Sequence, residues 1–225
     1  MGRRARPGYV ARMREVLPGV VHWTARHPRI GIEVSSYWLE DDGVLIDPLV
    51  PPEEGLEWFA GREVAPSAIL LSNRHHYRES GDFVERFSCK VHCNRLGLHE
   101  FSGGEDVEGF EIGDRLPGGA VACELDAISP DDTALHLPQK GALVLADAVV
   151  RGGPHGQSGQ LGFVPDSLMD DPPATKRGLL AACARLLEEI EFAHLLLAHG
   201  GPVIGDGRDQ LRELVERGGR TAFEM

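Results

Sequence analysis

The stretch of residues 70–82 constrains the possible folds of this chain more than any other part of its sequence. It follows an apolar run, Ala68-Ile69-Leu70-Leu71, which is typical of a buried strand. It precedes Phe83-Val84-Glu85-Arg86-Phe87, whose apolar spacing predicts a short helix. The polar residues between them, which include His75 and His76, therefore form a strand-to-helix loop. Loops of this kind on a rigid scaffold often carry functional side chains.

The rest of the chain alternates strand-like and helix-like segments. Residues 34–46 read as a hairpin with a turn at Asp41-Asp42-Gly43, and apolar residues recur at helical spacing over residues 174–190. The order is strands, helix, strand, helix, and then the same again. Two sheets packed face to face with helices outside, an α/β fold of the αββα type, accommodate this order. We predict a basic N-terminal arm over residues 1–19 and a single domain over residues 20–225.

The composition of the chain argues against two classes of binding partner. The formal net charge is −12, which makes nucleic acid and anionic membranes unfavourable general partners. No apolar run approaches the length of a transmembrane helix. The four cysteines are scattered and do not form a disulfide framework, which suits a reducing compartment: Cys89, Cys93, Cys123 and Cys183. We therefore expect a cytoplasmic protein that binds neither nucleic acid nor membrane.

The strand-to-helix loop resembles the signature of the metallo-β-lactamase superfamily, Thr-His-x-His-x-Asp-His-x-Gly. On that pattern Asn73 stands for the first histidine, His75 for the second, Tyr77 for the aspartate and Arg78 for the third histidine. The resemblance implies the four-layer αββα sandwich of that superfamily. It also implies that most metal-binding positions of this loop have been replaced.

Three later segments are similar to the remaining ligand loops of the superfamily. The segment from Asp126 to Pro138 resembles the stretch Pro-Gly-His-Thr-Pro-Gly and places Ile128 at the ligand histidine. Leu145-Ala146-Asp147-Ala148 resembles the segment that carries the bridging carboxylate, which matches Asp147. Leu197-Ala198-His199-Gly200-Gly201-Pro202 resembles the last ligand loop, which matches His199.

The candidate metal ligands are therefore His75, Asp147 and His199. Two histidines and one carboxylate can hold a single zinc or iron ion with an open coordination position. In the superfamily, however, the equivalents of His75 and His199 bind different ions of a pair. We expect at most one divalent metal ion, zinc or iron, or none, and no tightly held dinuclear centre.

The other polar residues of the loop are candidates for a ligand pocket. We expect Arg78 to replace a metal ion electrostatically by pairing with Asp147, with Arg74 as the reserve; the alternative is that Arg78 faces solvent. His76 is either a surface residue or a replacement metal ligand. The pocket predicted for a small polar or anionic molecule comprises Asn73, Arg74, His76, Tyr77 and Arg78.

The resulting functional hypothesis is a hydrolase-like protein of the metallo-β-lactamase fold with a degenerate, non-dinuclear metal site. One alternative is a mononuclear metal-dependent hydrolase of a small ester, thioester or phosphoester. Another is a non-catalytic module that binds a small molecule or a protein partner. The sequence assigns no residue a catalytic role.

Overall fold

A computed structural model describes residues 13–125, 127–152 and 159–223. The strands are β1 to β13, in chain order: Arg14–Leu17, Val20–Arg26, Glu33–Leu39, Val44–Ile46, Ala68–Leu70, Lys90–Asn94, Val107–Phe110, Val121–Glu124, Thr133–Leu137, Ala142–Leu145, Val150–Arg151, Leu161–Gly162 and His194–Leu197. The α-helices are α1 to α4: Glu57–Ala60, Ser80–Phe87, Pro172–Glu189 and Gly207–Phe223. None of the helices described is long and apolar enough to cross a lipid bilayer.

The larger sheet has seven strands in sequence order, β1 to β7. Strands β1 to β4 form an antiparallel meander, and β4 to β7 run parallel to one another. The turn into β4 is closed by Gly43, whose φ of 67° lies in the left-handed region that glycine adopts at low cost. The predicted hairpin over residues 34–46 corresponds to β3 and β4.

The smaller sheet has four strands in the order β13-β10-β9-β8. Strand β10 is antiparallel to β9 but parallel to β13, with Leu145 opposite Leu197. A parallel pairing needs a long crossover. Here the crossover between β10 and β13 contains β11, β12 and α3.

The two sheets pack face to face, and helices cover both outer faces. In β4, Val44 and Ile46 point into the core between the sheets, whereas Leu45 points to the outer face that packs on α1 and α2. In β10, Val144 points between the sheets, whereas Leu143 faces the core formed with α3 and α4. This alternation of apolar residues produces the predicted αββα four-layer sandwich.

Two sequence predictions differ from the structure. The prolines and acids of residues 51–54 predict a helix start, but α1 begins only at Glu57. Gly55, with a φ of 61°, closes a separate turn by donating its N–H to the carbonyl of Pro51. The sequence predicts an N-terminal arm over residues 1–19. In the structure, Arg14–Leu17 pairs with β2, and Leu17 is buried in the core. Residues 1–12 lie outside the described ranges.

The parallel strands of both sheets end at one edge of the sandwich. Asp47 follows β4, and residues 72–78 follow β5 in the same sheet. Asp147 follows β10, and His199 follows β13 in the other sheet. The carboxyl ends of parallel strands are where open sheets place their binding loops. The fold therefore brings loops from distant parts of the chain together at this edge.

Polar side chains of β2 and β3 bind the last of these loops to the larger sheet. The hydroxyl of Tyr37 donates to the carbonyl of Leu197 at 2.8 Å, and the hydroxyl of Ser35 donates to the carbonyl of Gly200 at 2.9 Å. His22 Nε2 lies 2.9 Å from that Ser35 hydroxyl in the buried interior. Burial, reinforced by the charge of Arg14, lowers the pKa of His22 to about 3.

Phe59 organises the aromatic core outside the larger sheet. It is fully buried and makes edge contacts with the rings of Trp23, Trp38 and Phe83 at centroid distances of 5.8, 5.5 and 5.3 Å. We expect Phe59→Ala to lower the free energy of unfolding by about 3–5 kcal/mol in urea denaturation. Leu168→Ala, at an exposed position, is the control and should change stability by less than about 0.5 kcal/mol. Similar values for both variants would contradict this packing.

His22 should make the protein sensitive to mild acid. Its folded pKa lies below its unfolded pKa, so the unfolded chain binds the extra proton. Stability should fall by up to about 1.4 kcal/mol per pH unit as the pH drops from about 6.5 towards about 3. We expect urea denaturation at pH 7 and pH 5 to show a smaller loss for His22→Leu than for the wild type. Equal losses would show that His22 is not held neutral.

Candidate metal centre

The loop after β5 forms a 3-10 turn over Arg74–Tyr77. Asn73 caps this turn because its side-chain oxygen accepts the backbone N–H of His75 at 2.9 Å. In a 3-10 turn, side chains three residues apart lie above one another, whereas successive side chains are about 120° apart. Asn73 and His76 therefore share one side of the turn, and that side faces Asp147.

The ring of His76 is held in place by Asp47, which follows the neighbouring strand β4. Its Nδ1 lies 2.9 Å from Asp47 Oδ2 and 2.9 Å from the hydroxyl of Ser72. Asp47 also accepts hydrogen bonds from the backbone N–H and the hydroxyl of Ser72. The opposite ring nitrogen, Nε2, lies 3.6 Å from Asp147 Oδ1. Asp47 thus fixes the ring with Nε2 directed at the smaller sheet.

Asp147 and His199 complete the group from the smaller sheet. His199 Nε2 lies 2.9 Å from Asp147 Oδ1, and the rings of His76 and His199 are 5.7 Å apart at their centroids. Asn73 Nδ2 donates to Asp147 Oδ2 at 2.8 Å, so Oδ1 faces the two imidazoles. His76, Asp147 and His199 each offer one ligand atom, and these atoms all lie within 4.8 Å of one another.

The electrostatics of the group are those of buried acids neutralised by a histidine. Burial opposes the charge of His76, but the carboxylates of Asp47 and Asp147 outweigh it and raise the pKa of His76 to about 9. Burial would raise the pKa of Asp147, but His76 and His199 hold it well below its usual value. The charges and hydrogen bonds around Asp47 lower its pKa in the same way. The imidazolium of His76 therefore lies between two carboxylates.

His75 is not the histidine that joins Asp147 and His199. Its side chain is exposed, and the 3-10 turn directs His76 inward in its place. In the group that the structure brings together, His76 therefore takes the place that the sequence predicts for His75. Tyr77 also leaves the predicted pocket. It packs against Phe101 at a centroid distance of 5.7 Å, on the outer face of the larger sheet.

The two arginines of the loop do not pair with Asp147. Arg74 forms an ion pair with Asp131, which also accepts the Arg74 backbone N–H at 2.7 Å. Arg78 Nη1 donates to the carbonyls of Ser35 and Asp47, at 2.7 and 2.6 Å. The described residues contain no ion pair between Arg78 and Asp147, so the predicted pairing is wrong. Arg78 does not face solvent either, since its guanidinium is enclosed.

Sequence reasoning missed two acids. Asp47 directly follows a buried apolar strand, and that position was the available signal. Asp132 comes just before β9 and is buried, with no hydrogen bond to either carboxyl oxygen. Burial, together with the charge of Asp147, raises the pKa of Asp132 well above its usual value. Ile128, at the position of the missing ligand, packs with the apolar core against α3 and α4.

Comparisons with known proteins bear on the fold. No protein-family model and no curated protein sequence matches the chain. Solved structures do match. A metallo-β-lactamase from Pontibacter korlensis is 20% identical, with a TM-score of 0.66 over 92% of this chain and 99% of that chain. The metallo-β-lactamase family protein TTHA1429 of Thermus thermophilus is 19% identical, with a TM-score of 0.63 over 92% of this chain and 81% of that chain.

A third solved structure, TTHA1623, was determined in a di-iron-bound form. It is 22% identical, with a TM-score of 0.55 over 86% of this chain and 93% of that chain. At these identities the likeness establishes the fold, and the chain has the metallo-β-lactamase fold. The fold implied by the signature loop is thereby confirmed.

The backbone of Arg78 gives a stability test of its placement. Its φ of 47° and ψ of −116° are strained for any residue with a Cβ. Arg78→Ala should cost about 2–3 kcal/mol because two carbonyls lose a charged donor. Arg78→Gly should be about 1 kcal/mol more stable than Arg78→Ala because it removes the strain. Urea denaturation of both variants checks this, with Arg86→Ala as the exposed control. A less stable glycine variant would contradict the strained conformation.

Proposed function

We propose that this metallo-β-lactamase-fold protein is a mononuclear metal-dependent hydrolase of a small ester, thioester or phosphoester. The observation that carries the proposal is the convergence of His76 Nε2, Asp147 Oδ1 and His199 Nε2 at one edge of the sandwich. Two imidazoles and one carboxylate form a common ligand set for zinc or iron with an open position.

The donor set fits one ion and does not fit two. Asn73, Tyr77, Arg78 and Ile128 stand at ligand positions of the superfamily signature, and none is a normal ligand for zinc or iron. His75, which would have served a second ion, is exposed. Burial lowers the pKa of the Arg78 guanidinium, and the charges of Asp47 and Asp147 oppose this shift, so the cation lies near Asp147. These replacements support a site that holds one metal ion and not two.

The surrounding side chains support the ligand set. Asp47 accepts a hydrogen bond from the N–H at His76 Nδ1, which leaves Nε2 as the ligating nitrogen. Asn73 holds Asp147 Oδ2 and thereby presents Oδ1. A bound divalent ion polarises a carbonyl or phosphoryl oxygen and lowers the pKa of water.

A second candidate function is a non-catalytic binding module. The observation that favours it is the imidazolium of His76 between Asp47 and Asp147, which neutralises the buried acids without an ion. A metal ion would have to displace the proton of His76, since imidazole binds metals in its neutral form. Measured metal content separates the two candidates.

Metal analysis after purification without chelator is the direct test. We expect one equivalent of zinc or iron per chain after dialysis, measured by plasma mass spectrometry. His76→Gln and His199→Gln should each lose the ion, because either change removes one of three protein ligands. His75→Gln is the matched control, one residue away in the same turn, and should keep it. No metal in the wild type would favour the binding module, and two equivalents would contradict a mononuclear site.

The reaction is tested with chromogenic esters, thioesters and phosphoesters. We expect the metal-loaded wild type and His75→Gln to hydrolyse at least one class. His76→Gln should fall to the level of buffer, since its ion is lost. Activity that persists in His76→Gln would show that hydrolysis does not depend on this site.

A further inference from the structure

Arg78 carries an unusual combination of charge, burial and missing partners. It follows the 3-10 turn that presents His76, and its backbone is held in a strained conformation. Nη1 is fixed by the carbonyls of Ser35 and Asp47 at 2.7 and 2.6 Å. These two bonds hold the guanidinium in one orientation against β3 and the end of β4.

The other two nitrogens of the guanidinium have no partner. Nε and Nη2 of Arg78 are buried and form no hydrogen bond with any residue that the structure describes. Together they make the side-on edge of the guanidinium, where two parallel N–H groups match the two oxygens of a carboxylate or phosphate. A buried, charged donor pair of this kind requires a partner, because leaving it unsatisfied is unfavourable.

The acids nearby are already engaged. Asp47 accepts hydrogen bonds from Ser72 and His76. Asp147 is occupied by Asn73 on one oxygen and by His199 on the other. Both carboxylates act on Arg78 through their charges without pairing with its side-on edge. Among the described residues, the acidic groups that act on Arg78 are Asp47, Asp147 and the Tyr37 hydroxyl, and none of them bonds to that edge, which leaves it open to an anion from outside.

The turn between β2 and β3 brings His27 close to Arg78 and His76. His27, in this turn, is only partly buried. Burial lowers the pKa of His27, and the charges of Arg78, His76, Arg29 and His199 lower it further, which locates His27 beside the metal-binding group. The buried guanidinium of Arg78, beside the imidazolium of His76, favours an anionic ligand at this position even though the chain has a net charge of −12.

We propose that the side-on edge of Arg78 binds a carboxylate or phosphate group of the substrate, next to His76, Asp147 and His199. The inference rests on the proposed function for the identity of the neighbouring reactive site. The anion is a recognition group, distinct from the bond that is hydrolysed. The edge is buried, so entry of the anion requires neighbouring groups to move, and side-chain rotations of this kind are common on binding.

Calorimetric titration with inorganic phosphate and with acetate tests the proposal. Both metal-free and metal-loaded protein are titrated, so that binding at an ion is distinguished from binding at Arg78. We expect at least one anion to bind both forms of the wild type. Arg78→Lys, which keeps the charge but lacks the side-on edge, should bind about tenfold more weakly or worse, and Arg78→Met should not bind.

Arg208→Met is the matched control for loss of a partly buried arginine. Arg208, in α4, also donates to two backbone carbonyls, those of Leu187 in α3 and of Ile190 just after it. It should bind the anion as the wild type does. Metal content is measured on every sample, and Arg78→Lys serves if Arg78→Met fails to fold.

Three results would overturn the assignment of Arg78. They are no binding of either anion, binding only to the metal-loaded form, and equal binding by the wild type and Arg78→Lys. The first two, with one equivalent of metal present, would leave the proposed hydrolase site intact. If the wild type holds no metal but binds the anion through Arg78, anion recognition is supported. The proposed metal-dependent hydrolase function is then contradicted.

Discussion

The carboxylate of Asp47 is the contact on which the rest of the site depends. It lies at the end of β4 and accepts hydrogen bonds from the backbone and hydroxyl of Ser72 and from the ring of His76. These bonds tie the loop after β5 to the strand beside it. Without them neither the 3-10 turn nor the direction of His76 Nε2 would be fixed. The carbonyl of Asp47 also holds Arg78.

Charge balance explains why so many ionisable groups are tolerated at this edge. Two carboxylates, Asp47 and Asp147, flank one imidazolium, His76, and the buried guanidinium of Arg78 adds the second positive charge. Unpaired buried charges are costly, so such a group persists only when its members compensate one another. The arrangement retains ligand atoms suited to a metal ion while remaining compatible with a protonated histidine.

The sequence predicted the layers of the fold and the loops of the site better than the individual side chains. Alternating apolar residues in β4 and β10 and the helical spacing of α3 encode burial directly, so the sandwich could be inferred. The sequence could not show whether His75 or His76 faces Asp147 and His199. This depends on the 3-10 geometry that Asn73 imposes as a cap, and a linear signature does not encode a rotation of about 120° per residue. The partners of Arg74 and Arg78, Asp131 and two backbone carbonyls, come from sequence-distant segments.

The candidate metal-binding group takes His76 from the loop after one sheet and Asp147 and His199 from loops after the other. The seam between the sheets therefore passes through the site. Any ligand that engages both sides would link the two halves of the sandwich and oppose their separation during local opening. Amide hydrogens in β5 and β10 would then exchange more slowly together, although these strands lie in different sheets. Binding of a ligand at the site would therefore also stabilise the packing of one sheet on the other.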